Sequence, residues 1–315
     1  MKITNLIDAK NIIVDSDLGY DPDDLFALCY LHSAGVNIRA ITLSSGDPHQ
    51  IALAQFFCKE VGLNIPIGVA ELNRKAIKGH KGKFEGATVK EYVGFHHNLL
   101  KAYGYPCEAT VDELGCKVIA DTYKKYPDCE LFIIGAPKNV GRYIRENPEA
   151  EINQVTFQGG FIGYQFHSYP CERLDKFVGK ATCPSYNPNG AIKDTQTIVG
   201  INGIKNIRFV SKNICHTIVY DKAIHDKVCS VPSKNKSDEL FIKGMDLYLS
   251  KHKEKKFHDP CAAVCMLHPE IGSWVRGMMF YDSGGWGTLP DETSKSVTIA
   301  DIDRDKFWGH IINRD

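Results

Sequence analysis

Five aspartates crowd into residues 15–24, directly after a short apolar run; residues 11–28 read NIIVDSDLGYDPDDLFAL. Asp15, Asp17, Asp21, Asp23 and Asp24 repel one another when ionised together, and a bound cation removes that cost. Clustered carboxylates suit a hard cation, either Ca2+ with many oxygen ligands or Mg2+ with fewer and more water. The calcium loop of an EF-hand is excluded, because its glycine and its terminal bidentate glutamate are missing from their places. A solvated loop in which Asp23 caps a helix and Asp24 favours its dipole accounts for one or two acids, not for five.

Two other groupings carry chemistry-bearing side chains. Phe257-His258-Asp259-Pro260-Cys261 sets an imidazole beside a carboxylate at the start of an apolar helix. Taken alone it is an ordinary helix entry. Ser185-Tyr186-Asn187-Pro188-Asn189 offers amides able to hydrogen-bond a polyol, and alone it reads as a turn.

The elements that must position these residues follow one rhythm. Residues 12–14 read as a buried strand, and Leu25, Phe26 and Leu28 as the apolar face of a helix that starts at Asp23. The acids therefore sit at a strand-to-helix corner, and in an open α/β sheet ligands bind outside the carboxyl ends of the strands. Strands are expected at 37–43, 65–69, 131–134, 155–157, 207–210 and 297–302, and helices at 48–61, 111–125, 137–146, 189–199, 240–251, 260–267 and 306–312. This alternation predicts an α/β fold with a mostly parallel sheet. Residues 73–90 and 161–188 read as long loops, and the absence of a repeat or a dividing linker makes residues 1–315 one domain.

Composition narrows the ligands. With 38 basic and 38 acidic residues the net charge is zero, and no Lys/Arg run suggests nucleic acid or an anionic membrane as a partner. A small molecule is the expected partner. The N-terminal MKITNLIDAK lacks the apolar segment of a signal peptide and no run reaches transmembrane length, which points to the cytoplasm. Eleven scattered cysteines read as reduced thiols, with Cys261 and Cys265 as small core residues of one helix face.

Together VDSDLGYDPDDLFAL, AITLSSGD, IIGAPKNV, SYNPNG, HDPCA and DRDKFWGHI resemble, in order, the inosine-uridine-preferring nucleoside N-ribohydrolases, over nearly the whole chain. The resemblance implies a doubly wound sheet with helices on both faces, a tightly bound Ca2+, a ribonucleoside substrate and a homodimer or homotetramer. By position, Asp17, Asp24 and Asp259 would bind calcium through carboxylates and Ile134 through its carbonyl. Asp17 would also be the base that activates a metal-held water. Asp23, Asn187 and Asp259 would hold ribose hydroxyls, and His258 would help the base depart. His80 lies where family members carry an active-site histidine. Tyr248, Trp286 and the aromatics of 161–169 offer stacking surfaces for the base.

The sequence also departs from the family pattern. The usual DTDPGxDD is two residues longer here, which leaves Asp21 without a role. Asp47 replaces the asparagine after the second strand and so joins the expected substrate-binding set. Ser185 replaces a glutamate that binds the ribose 5′-hydroxyl, so a modified base or a 5′-altered ribosyl compound stays open as substrate. Two other classes remain. In a haloacid-dehalogenase-like phosphatase Asp15 would attack phosphate with Mg2+, leaving HDPCA without a role; a non-catalytic ribosyl-binding protein would keep fold and metal.

Overall fold

The computed structural model describes residues 10–19, 21–75, 94–166 and 174–315. Its strands are β1 (Asn11–Ser16), β2 (Asn37–Leu43), β3 (Ile67–Val69), β4 (Glu130–Ile133), β5 (Ile152–Gln158), β6 (Ile204–Val210), β7 (Val219–Asp221), β8 (Glu254–Lys256), β9 (Gly272–Asp282), β10 (Gly285–Pro290) and β11 (Ser296–Ile302). The helices are α1 (Asp23–Ser33), α2 (Pro48–Val61), α3 (Phe95–Ala102), α4 (Gly115–Lys125), α5 (Lys138–Glu146), α6 (Tyr186–Gly190), α7 (Ile192–Gly200), α8 (Lys212–Cys215), α9 (Lys222–Ser230), α10 (Lys236–Leu249), α11 (Asp259–Leu267) and α12 (Arg304–Asn313).

Nine strands form one sheet in the order β10-β9-β11-β6-β5-β4-β1-β2-β3. From β3 across to β11 all neighbours run parallel, while β9 and β10 close one edge antiparallel. Chain order reverses between β1 and β4, and such a switch point opens a crevice at the carboxyl ends of the two strands. The acidic corner leaves β1 there, and Ile134 leaves β4. Successive β1 residues serve opposite layers: Ile12 and Val14 join the core around Phe26 and Phe257, Ile13 the core around Ile119 and Val140. Burial on both faces is why the strand reads as a continuous apolar run.

The helix α2 keeps its expected limits because both ends are encoded locally. Asp47 and Gln50 form a capping box around Pro48, and Gly62 ends the helix at φ 74°. The helix expected over 111–125 starts only at Gly115, since Leu114 bridges to Val69 at the sheet edge. The helix expected over 189–199 is broken at Ala191 into α6 and α7. The β9–β10 hairpin turns at Ser283-Gly284, both at positive φ as a tight hairpin turn requires.

Helices α1 and α11 pack against each other. Both are buried from end to end, residues Asp23–Leu31 and Asp259–Met266, so neither shows an amphipathic stripe. Small residues in α11, including the fully buried Cys261, Ala262 and Cys265, let it lie in the core. None of the ten described cysteines is in a disulfide.

The close approach of β1 and β4 rests on Gly135. A Cβ there would stand 2.5 Å from the Asp17 nitrogen and 2.6 Å from the Ser16 carbonyl carbon, backbone atoms that have no side chain to swing aside. Gly135→Ala is expected to lower stability by about 1–3 kcal/mol, as overpacking does. Urea denaturation measures it, and an unchanged midpoint refutes the tight approach.

Candidate active site

The paired helices α1 and α11 bring acids from opposite ends of the chain to one place. Asp23 and Asp24 open α1 and Asp259 opens α11, where helix dipoles favour negative charge. One carboxylate oxygen from each lies within 4.8 Å of the other two. All three residues are buried. Ser16 Oγ donates to Asp24 Oδ1 at 2.5 Å and accepts from the Leu18 amide, which fixes the corner. Burial, then the charges of Asp17 and Asp23, pushes Asp24 well above the usual carboxylate range. Burial, followed by Asp23 and Asp24, does the same to Asp259. Asp17 is half-buried beside them, and burial followed by the Asp23 charge lifts it to about 7.

Lys255, carried on β8, reaches into this group. Only 6% exposed, its Nζ lies 2.6 Å from Asp21 Oδ1 and 3.2 Å from Asp23 Oδ1. Burial works against its charge, but Asp23 and Asp21 outweigh burial and raise its pKa. Asp21, the acid the longer corner adds, thus has a partner. His258 turns Nδ1 to Asp23 Oδ2 at 3.5 Å, while its Nε2 is buried with no hydrogen-bond partner. Burial, then Lys255, lowers its pKa to about 4, so the ring is neutral at pH 7.

The second half of the crevice is built by amide contacts. Asn187 Nδ2 donates to the Ile134 carbonyl at 3.0 Å and to Gln158 Oε1 at 2.8 Å. Ile134 itself is tied to β1 through its amide, which donates to the Asp15 carbonyl at 2.8 Å. The Asp15 side chain points elsewhere: its Oδ1 accepts from Thr42 Oγ1 and Asn139 Nδ2, both at 2.8 Å. Fully buried, Asp15 has no access to a substrate, which counts against the phosphatase reading.

Of the expected residues, the structure thus gathers Asp17, Asp23, Asp24, Asp259 and His258, and separately joins Ile134 to Asn187. Asp47 is engaged differently, as the α2 cap, accepting from the His49 and Gln50 amides. His80 lies outside the described residues. Trp286 is buried against Tyr281, while Tyr248 stacks on His252. Ser16, Gln158 and Lys255 escaped the sequence reading. For Lys255 the available signal was alternation in Glu254–Lys256, which turns the middle side chain inward.

A family model described as inosine-uridine preferring nucleoside hydrolase matches residues 12–309. A probable uridine nucleosidase 1 of Oryza sativa subsp. japonica is 21% identical over 295 residues, which cover 89% of this chain and 83% of that protein. Among solved structures, a plant nucleoside hydrolase is similar with a TM-score of 0.71 at 15% identity, over 97% of this chain and 98% of the other. A purine-preferring ribonucleoside hydrolase from Gardnerella vaginalis gives 0.68 at 16% identity, over the same shares of both chains.

Breaking one side of a buried ion pair leaves a bare charge behind. Lys255→Met is therefore expected to cost about 3–5 kcal/mol in chelator-treated protein. Asp21→Asn, at the exposed end of the same contact, should cost about 0–1 kcal/mol. Equal losses in urea denaturation would show that Lys255 does not serve the buried acid.

Proposed function

The chain belongs to the inosine-uridine preferring nucleoside hydrolase family, a family of N-glycosyl hydrolases, and from that premise we propose a calcium-dependent hydrolysis of a ribonucleoside to free base and ribose. The observation that carries the reading is the meeting of Asp23, Asp24 and Asp259 within 4.8 Å at two helix starts. The donors at hand are all oxygens, carboxylate and carbonyl, which fits a hard dication with many ligands. Asp17, Asp24, Asp259 and the Ile134 carbonyl are the proposed ligands. When bound, Ca2+ supplies positive charge that acidifies water and grips vicinal hydroxyls.

The side chains supply the rest. Asp17, the half-buried acid of the group, takes the proton of the attacking water. Asp23, Asp259 and Asn187 hold the ribose hydroxyls and so orient the anomeric carbon. Their negative charge also favours the oxocarbenium-like ring that forms as the N-glycosidic bond breaks. Lys255, 3.2 Å from Asp23 Oδ1, holds that carboxylate in place for the task. His258 faces the departing base; His80 and Asp47 complete the proposed substrate-binding set, Asp47 from its place as the cap of α2. The proposed setting is a cytoplasmic homodimer or homotetramer; among the described residues no helix is long and apolar enough to cross a membrane.

A second reading, a 5′-altered ribosyl substrate, draws on the basic groups beyond His258. The His216 ring lies 5.2 Å from that of His258, and Lys176 Nζ is 2.9 Å from His216 Nδ1. Lys212 donates to the Pro184 carbonyl, next to Ser185. Among the described residues no carboxylate pairs with Lys176 or Lys212. An anionic group at the 5′ position suits this lining.

Asp17→Asn is expected to reduce kcat at least about a hundredfold, the usual worth of a general base. Chelator should abolish turnover and Ca2+ restore it, read by chromatography of released base; full activity in either case refutes the mechanism. If the second reading holds, ribonucleoside 5′-monophosphates exceed plain nucleosides in kcat/KM. Lys212→Ala then removes about tenfold, or 1.4 kcal/mol, from that preference alone.

A further inference from the structure

Three histidines meet beside Gly19 of the acidic corner, and no step of the hydrolysis uses them. His49 stands in the first turn of α2, and His96 and His97 in the first turn of α3. One ring nitrogen from each lies within 4.8 Å of the other two. The rings pack at centroid distances of 3.9 Å for His96 with His97, 4.3 Å for His49 with His97 and 5.1 Å for His49 with His96. His96 is fully buried and His49 nearly so.

The hydrogen bonds fix two of the tautomers. His49 Nδ1 faces the Cys107 carbonyl at 2.7 Å, and His96 Nδ1 faces the Gly19 carbonyl at 2.6 Å. A carbonyl only accepts, so each Nδ1 carries the proton, and in the neutral ring Nε2 then keeps its lone pair. A backbone carbonyl behind a ring nitrogen is also what orients metal-binding histidines and makes them better donors. The third ring has its Nδ1 buried with no hydrogen-bond partner. Burial first, then the neighbouring imidazoles, lowers the pKa of His96 to about 3, which leaves it in the neutral form a metal requires.

We propose that His49, His96 and His97 form a second metal site, selective for a borderline transition-metal dication such as Zn2+ and separate from the carboxylate site. Three imidazoles suit Zn2+, Ni2+ or Co2+, whereas carboxylate and carbonyl oxygens suit Ca2+ or Mg2+, so the two sites sort metals by donor type. Three protein ligands leave the fourth tetrahedral position to water. The bound ion clamps α2 to α3. Through the His96 contact with Gly19 it also braces the loop that carries Asp17 and Asp21.

The test uses the full chain, freed of metal by chelator and then titrated with Co2+ or Zn2+ alone. Tetrahedral nitrogen-ligated Co2+ gives intense visible bands, while Co2+ on carboxylates gives weak octahedral ones, so the wild-type spectrum alone discriminates. The expected result is one equivalent with intense bands, competed by Zn2+. Affinity should fall at least tenfold in His97→Ala and His49→Gln and stay unchanged in Asp24→Asn. Weak octahedral bands only, binding lost in Asp24→Asn, or wild-type affinity in both histidine variants each overturn the proposal. None of these readouts depends on nucleoside hydrolysis.

Discussion

Charge compensation is the constraint on which this architecture turns. Asp23, Asp24 and Asp259 are buried side by side, and burial with mutual repulsion drives Asp24 and Asp259 toward the protonated state. Three devices oppose that drive. The amino ends of α1 and α11 supply partial positive charge, Lys255 supplies a full one, and the oxygen donors converge where a dication fits. The Lys255 ammonium lies against Asp21 and Asp23, not among all three acids, which leaves Asp24 and Asp259 to the ion proposed above.

The sheet makes this possible by reversing its order between β1 and β4. Reversal separates the helices that follow those two strands and leaves room at their carboxyl ends. Gly135 lets the strands end close together, so that the Ile134 carbonyl and the acidic corner border the same crevice. Asn187 then ties that carbonyl to Gln158 at the end of β5. The two halves are held by different means, one by charge and the other by neutral amides.

What the sequence made legible was whatever is encoded locally. The limits of α2 follow from a capping box and a terminal glycine, and the acidic corner from its composition. The pair His258-Asp259 gained meaning only from its order relative to that corner, since the packing of α1 on α11 is a tertiary fact. Lys255 lies in a Lys-rich stretch that reads as solvated surface, yet its strand partner Tyr220 belongs to the core. Asp47 shows the reverse: expected as a substrate ligand, it is also the cap of α2, a role that Pro48 and Gln50 already mark. The β9–β10 hairpin went unread because its turn, Ser-Gly, is a weaker signal than Asn-Gly or Asp-Gly.

The helix pair α1 and α11 also sets a timetable for synthesis. Asp23 and Asp259 are 236 positions apart, so at 5–20 residues per second the acidic corner waits roughly 12–47 s for its counterpart. During that interval α1, apolar on every side, has no α11 to cover it, and its aspartates have no Lys255. The helix that opens the site is therefore among the last to be sealed. A ribosome that stalls before residue 255 releases a chain whose first helix lacks the apolar cover of α11.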